Sequence, residues 1–392
     1  VMVDYMFSLF NLCLSSRTTP KEWREGLIAS LYKKGCKDDP GNYRPITLLS
    51  PTGKLYASII NMKLVEHLES NNLIDTAQNG FRMVESRNCD DHLISLHELY
   101  NYAHKNNKPM YSAFIDFSKA FDSIPRSAML AALKATGIPK RLYKAIESMY
   151  RHTTAQCIAN GTKSKEFAIH RGVAQGCPLS PTIFAVYINS LIKEINDSRI
   201  GIDLKDGKPP VGILAYADDI VLLAEDNDSL QQLAKISHKW CEKWGMNANI
   251  KKCGILAIHN TETPKIEWGD TTFPVVQKYK YLGVTFEPNM KFEIHTKKIH
   301  DAAQGKLKKL SHIMRSKYIG PKLKKRIYEE NIRSKMEYGS LTWGEFKAAS
   351  QLDKIQKHTI EAMMNVSSVW ERAAEGELGM MSLEERRHLT LM

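Results

Sequence analysis

Residues 212–225 read GILAYADDIVLLAE, two apolar runs separated only by Asp218-Asp219. Short apolar runs bounded by a turn suit buried strands. The stretch therefore marks a tight hairpin with acidic residues at its tip. A second apolar run, YSAFID at 111–116, also ends on an acid, Asp116. If the two strands are neighbours, the carboxylates converge, and clustered anions repel unless a cation neutralises them. Hard oxygen donors with no His or Cys nearby favour Mg²⁺ or Mn²⁺ over zinc. Mg²⁺ held by one or two carboxylates and completed by substrate phosphates is the usual arrangement for phosphoryl transfer. Taken alone, Asp-Asp is more often an ordinary turn pair, so the surroundings decide.

Those surroundings alternate helices and strands. Residues 54–70 and 91–104 show apolar positions at helical spacing, and 123–137 reads as a helix with Pro125 near its start and Gly137 past its end. A further helix follows Pro139. TAQCIA, Asn160-Gly161 and TKSKEFAIH make a hairpin, with Asn-Gly suited to a type I′ turn. Residues 178–195 and 228–244 read as helices, and 253–288 supply more strands, including KYLGVTFE at 280–287. The pattern predicts an α+β fold: an open antiparallel sheet with helices on one face, followed by a helical tail.

At 392 residues, with 43% apolar and 25% charged content, the chain is long enough for two or three domains. That composition excludes wholesale disorder, collagen and a disulfide scaffold. The longest apolar runs, such as 220–224, fall far below the roughly 20 residues that span a bilayer, so no membrane partner is expected. VMVDYMFSLFNLCLSS has no basic leader and carries Asp4, a poor signal peptide. Seven scattered cysteines without a CxxC pair read as reduced thiols rather than a zinc site. The chain reads as intracellular.

The net charge is +12, and it is unevenly placed. Residues 291–335 hold 14 Lys and Arg against 4 Asp and Glu, so one segment carries ten of the twelve. Clustered cations set local phosphate affinity, which points to nucleic acid.

Set in order along the chain, these stretches closely resemble the reverse transcriptases of non-LTR (LINE-type) retrotransposons. NYRPITLLSPTGKLYASII (42–60) and QNGFRMVESRNCDDHL (78–93) are similar to the two fingers motifs. FIDFSKAFDSI (114–124) resembles the first catalytic motif, RGVAQGCPLSPTIFAVYIN (171–189) the template and nucleotide motif, and AYADDIVLLA (215–224) the second catalytic motif. WGMNANIKKCGILAI (244–258) and KYLGVTF (280–286) resemble the two that follow, and YGSLTWG (338–344) is similar in type to a motif of the tail. The resemblance implies a right-hand polymerase with a ferredoxin-like antiparallel palm, mixed α/β fingers and a helical thumb. On it, residues 1–110 are an N-terminal extension and fingers, 111–288 the palm with a second fingers part at about 124–171, and 289–392 the basic thumb and C-terminal helices.

The resemblance further implies that Asp116, Asp218 and Asp219 are the catalytic carboxylates, holding two Mg²⁺ ions (or Mn²⁺) with help from the Phe117 carbonyl. Phe121, five residues after Asp116, takes the place of the bulky aromatic that rejects a ribonucleotide 2′-hydroxyl. Gln175 and Gly176 match the position contacting the incoming dNTP and template. Lys252, preferred to Lys251 on the register from Asn249, matches a lysine that protonates the leaving pyrophosphate. Arg44 and Arg82 are candidates for triphosphate or template-phosphate contact. In the tail, Lys306, Lys308, Lys309, Lys322, Lys324, Lys325 and Arg326 would grip the template–primer duplex through phosphates.

The implied activity is RNA-directed DNA polymerisation, with an RNA template, a DNA primer or nicked target DNA, and dNTPs as partners, in target-primed reverse transcription. Relatives of this kind usually carry an endonuclease, so the chain reads as a fragment of a larger polyprotein or a truncated copy, with the endonuclease in a missing part. Nuclear and cytoplasmic residence is expected, with activity in the nucleus; KLKKR at 322–326 is read as a phosphate grip before a nuclear signal. Two rivals share the fold. A catalytically inactive RNA-binding or scaffold protein is disfavoured by the intact Asp116, Asp218, Asp219, Phe121, Gln175 and Lys252. A group II intron maturase is disfavoured by the retrotransposon-like forms of NYRPITLL and AQGCPLSPTIFAVYIN.

Overall fold

The computed structural model describes all residues except 83–86, 160, 261–262, 346–348, 367–370 and 392. The chain divides into two compact units. The first comprises Val1–Asn88, Tyr111–Ile255 and Pro264–Pro274, and the second Cys89–Met110, Leu256–Thr263 and Val275–Met392.

In chain order the strands are β1 (Glu25–Tyr32), β2 (Tyr43–Leu48), β3 (Met110–Ile115), β4 (Thr154–Ala159), β5 (Thr162–Lys163), β6 (Phe167–Ala168), β7 (Ile213–Tyr216) and β8 (Asp219–Ala224). They continue as β9 (Gly254–Ile258), β10 (Glu267–Trp268), β11 (Thr271–Thr272), β12 (Tyr279–Tyr281) and β13 (Val284–Phe286).

One sheet of the first unit runs β2-β1-β4-β5, with β1 antiparallel to β2, parallel to β4, and β6 also paired to β4. The expected hairpin is present as β4 against β5, with Gly161 at φ 77 where a left-handed turn residue is needed; Asn160 itself lies outside the described residues.

The second sheet has the order β7-β8-β3-β9. Every residue of β3 is buried, and so is every residue of β8 after Asp219. Continuous burial explains why both strands read as apolar runs rather than alternating ones. The helices Ser180–Asp197 and Asn227–Trp244 pack on β7 and β8 respectively. The first of these buries twelve of its residues, and the second is capped by Asp226, which accepts from the Ser229 N–H at 2.7 Å. Gly245, at φ 73, ends that helix in the left-handed conformation that glycine adopts without strain. Tyr187, Trp240 and Trp244 form an aromatic cluster with centroids 5.4 to 6.0 Å apart, and Trp240 Nε1 donates to Ser190 Oγ at 2.8 Å.

The helix expected over 123–137 is present as Arg126–Ala135 with Pro125 at its N-cap, which holds Ile124 outside the helical region at φ −58 and ψ 121, and a separate short helix, Ala120–Ser123, precedes it. Pro125 also forms a bridge with Arg171. One expected element is corrected. The strand expected at 280–287 is a hairpin, β12 against β13, turning on Leu282 (φ 43) and Gly283 (φ 91). Two consecutive positive φ values are what a type I′ turn requires.

The second unit is otherwise helical. Its helix Cys89–Lys105 is followed, after the hairpin, by Glu293–Met314, Pro321–Tyr328, Ser350–Met364 and shorter segments. Tyr328 and Trp343 are fully buried, and Tyr328 Oη donates to Gln356 Oε1 at 2.7 Å. Among the described residues no helix is long and apolar enough to cross a membrane.

Candidate active site

The strand register brings the three aspartates together. β3 pairs β8 antiparallel with Ile115 opposite Ile220, so continuing the register by one residue sets Asp116 against Asp219. Tyr216 pairs with Asp219 across β7 and β8, leaving Ala217 and Asp218 as a two-residue turn. Ala217 is buried and stands at φ 56, a conformation an L-residue adopts only when its surroundings hold it there.

Sequence reasoning missed what holds it. Gln78 is fully buried, and its Oε1 accepts from the N–H groups of Ala217 (2.8 Å) and Gly80 (2.7 Å), while Nε2 donates to the Ala217 carbonyl at 3.4 Å. Gly80 is there because a Cβ would stand 2.2 Å from the Ala217 nitrogen. The only signal in the sequence was the place of Gln78 at the head of a motif.

The other wall comes from residues 247–253, which are pinned to the end of β3. Ser118 N–H donates to Asn247 O (2.8 Å), Phe117 bridges Ala248, and Asn249 N–H donates to Asp116 O at 2.7 Å. The tight turn that follows, with Lys252 N–H on Asn249 O at 2.8 Å, delivers the Lys252 ammonium to 3.0 Å from Asp116 Oδ1.

Burial raises the Asp218 carboxyl above the ordinary range, the charge of Asp116 adds to the effect, and Lys33 and Lys252 oppose it. Asp219 is pushed up to about 6, first by the desolvating surroundings and then by Asp218 and Asp116. Its tip remains open to solvent. Among the described residues no three His, Cys, Asp or Glu side chains are gathered closely enough to hold a metal unaided. The donor set still fits a divalent cation. It is all oxygen, its members repel one another, and an ammonium already neutralises Asp116. Substrate phosphates would supply the remaining ligands.

Beside the aspartates lies a cleft of about 640 Å³, lined in part by Asp116, Asp218, Phe117, Phe121, Gln175 and Gly176. The Phe121 ring stacks on Phe184 (4.9 Å, 12° between planes) and meets Phe81 edge-on at 6.4 Å. Gln175 Nε2 donates to both carboxylate oxygens of Asp122 (3.2 and 3.3 Å), while its carbonyl accepts from Thr47 N–H at 2.8 Å. Gly176, at φ 121, makes its close approach to the Thr47 carbonyl, which a Cβ would meet at 2.7 Å. Arg44 on β2 is exposed and lines the cleft, as does Lys33, a second cation missed by sequence reasoning.

Arg82 and Lys324 are corrected. Arg82 forks onto the Glu69 carboxylate, with Nε 2.9 Å from Oε1, and Nη1 donates to the carbonyls of Asp75 (3.1 Å) and Gln78 (3.3 Å). It is a half-buried brace and does not line the cleft. Lys324 is 4% exposed, and its ammonium donates to Met363 O at 3.0 Å, in the last turn of Ser350–Met364, where the helix dipole is negative. Of the other tail cations, Lys325 donates to Gly379 O and Arg326 pairs with Glu330 at 2.8 Å. Lys308, Lys309 and Lys322 are exposed and Lys306 is half-buried, all four in the second unit.

Residues 32–286 match the family described as reverse transcriptase (RNA-dependent DNA polymerase). The RNA-directed DNA polymerase of the mobile element jockey from Drosophila melanogaster is 27% identical over 380 residues, covering 93% of this chain and 40% of that protein. The Pol polyprotein of the type-2 retrotransposable element R2DM, also from Drosophila melanogaster, is 28% identical over 292 residues, covering 72% of this chain and 27% of that protein. This chain thus spans well under half the length of these relatives. Among solved structures, a Candida albicans telomerase in complex with a fragment of telomeric RNA superposes with a TM-score of 0.52 at 12% identity, over 96% of this chain and 68% of that one.

Proposed function

Because this chain belongs to the reverse transcriptase family of RNA-directed DNA polymerases, we propose that it is the polymerase part of a longer non-LTR retrotransposon protein, copying an RNA template onto a DNA primer. The observation that carries this reading is the convergence of Asp116, Asp218 and Asp219 at one end of the sheet, where Asp116 and Asp218 line a cleft that also presents Phe121, Gln175 and Arg44. Residues 1–110 and about 124–171 serve as fingers, 111–288 as palm and 289–392 as thumb. Target-primed synthesis and an endonuclease in a separate part of the protein complete the proposal.

Family members generally use divalent metal ions, and we assign two Mg²⁺ here, with Mn²⁺ as a substitute. Asp116 and Asp218 would hold them most directly, and Asp219 less so. Bound there, the ions supply a more acidic primer 3′-hydroxyl and charge neutralisation at the α-phosphate and pyrophosphate. The chain's own groups do the rest. Arg44 and Lys33 draw the triphosphate into the cleft by charge. Phe121, backed by Phe184, closes the space that a 2′-hydroxyl needs. Asp122 keeps the Gln175 amide in place beside the nucleotide. Lys252, already charged and already at Asp116, holds a proton for the departing pyrophosphate. Lys306, Lys308, Lys309 and Lys322 bind duplex phosphates, joined by Lys325 and Arg326 when they leave their present partners.

Primer extension on an RNA template with dNTPs and Mg²⁺, beside Asp218→Ala, tests the reading. Wild-type extension should fall on the order of 10³-fold or more in the variant. Extension that survives Asp218→Ala, or none from a wild-type chain that binds template–primer tightly, overturns it; the second result favours the scaffold reading.

A further inference from the structure

We infer that Gln78 is a positioning residue that sets the geometry of the Asp218-Asp219 turn and so preforms the metal-binding carboxylates. Its side chain ties its own loop to the turn that carries the carboxylates. Oε1 takes the Ala217 and Gly80 N–H groups, and Nε2 reaches the Ala217 carbonyl, so one amide grips both sides of the residue preceding Asp218. Two N–H donors facing one amide atom identify it as the oxygen. A buried glutamine of purely structural use could satisfy itself on any neighbour. This one is spent on the strained residue that precedes the carboxylates.

The backbone around Gln78 is fixed from several directions. Ala215 N–H donates to Ala77 O (2.9 Å) and Asn79 N–H donates to Ala215 O (3.1 Å), a short parallel bridge on the outer edge of β7. Behind it, Arg82 ties the carbonyls of Asp75 and Gln78 to Glu69. Asn189 and Asn196, on the helix Ser180–Asp197, hold Asp75 through its N–H (2.8 Å) and carboxylate (2.9 Å). Gln78 is the tip of a braced strap, and the brace reaches only as far as the turn.

The need for such a grip follows from the charges. Three carboxylates crowd this end of the sheet, and Ala217 is held at φ 56. Repulsion and strain both favour opening the turn, and the amide bonds oppose both. Removing them should loosen the metal site while leaving Arg44 and Gln175 in place in the cleft.

The inference rests on the polymerase reading for its activity arm alone, since metal affinity is measured independently. The full-length chain, Gln78→Met and Gly80→Ala are compared in three assays. These are Mn²⁺ binding by electron paramagnetic resonance, template–primer binding, and single-nucleotide extension across a dNTP range. In Gln78→Met the Mn²⁺ dissociation constant should rise about tenfold and kcat should fall about 10²-fold. KM for dNTP should stay within about threefold, and template–primer affinity should be unchanged. A folded Gln78→Met with wild-type Mn²⁺ affinity and kcat overturns the inference. If Gln78→Met does not fold, Gly80→Ala decides by the same criteria, since its Cβ displaces the turn from the same strap. A wild-type chain that binds no Mn²⁺ also overturns it. A wild-type chain that binds Mn²⁺ yet never extends a primer overturns the polymerase reading instead, and the metal arm still judges Gln78.

Discussion

On the proposed function, Phe121 would act through what stands behind it. With Phe184 stacked at 4.9 Å, its ring would have no room to retreat from a bulkier sugar. Phe121→Ala should therefore lower discrimination against ribonucleotides by roughly 10- to 200-fold, read from paired dNTP and rNTP extension rates. Asp219 gives a pH signature of known sign. Its carboxyl takes up a proton as pH falls through about 6, and a metal must displace that proton. The Mg²⁺ needed for half-maximal extension should rise up to about tenfold per pH unit below 6 and stay flat above 7. Its contribution to the metal-free chain's stability is fully present below the ordinary Asp range and is lost as pH rises through about 6. Thermal melts of the metal-free chain and Asp219→Asn should therefore diverge across that window. The aspartates were legible because acids interrupting apolar runs are conspicuous in one dimension. Gln78, Arg82 and Lys324 were not: Gln78 grips a residue 139 positions away and Lys324 a carbonyl 39 away, and a buried polar group looks like any exposed one until its partner is placed.

Elements with their own punctuation were legible too. The helix after Asp226 has a cap, an apolar stripe and a terminal glycine, all local signals. The one failure came from reading past punctuation. Pro125 marks its helix start as expected, whereas Leu282-Gly283 was read as strand interior and is a turn. Gly283 carries a testable consequence. Its φ of 91 and the Tyr338 ring, 2.5 Å from where a Cβ would stand, leave no room for a side chain. Tyr338 Oη also donates to the Leu282 carbonyl at 2.8 Å. Gly283→Ala should destabilise the chain by about 1 to 3 kcal/mol in chemical denaturation, with the metal affinity of the first unit unchanged.

On the scale of the whole molecule, charge and chemistry are separated. The aspartates belong to the first unit, while residues 291–335, with most of the net positive charge, belong to the second. Burial divides those cations into two kinds. Lys308→Met should reduce the log–log salt slope of template–primer binding by about 1, whereas Lys324→Met, whose ammonium is spent on Met363, should leave that slope unchanged. Equal slopes for both variants would mean that exposure does not govern the contact. Composition alone reported only that the chain is basic; the sorting of lysines into exposed and internally bonded ones needed three dimensions.

The ion pair between Lys252 and Asp116 has one more consequence. A resting site that carries its own counterion would behave as an interlock. On the proposed chemistry, a nucleotide seating at Asp116 would take the ammonium's place, turning the Lys252 proton toward the leaving group just as one is needed. Loading and arming would become a single event, and an empty site would keep its acid sheathed.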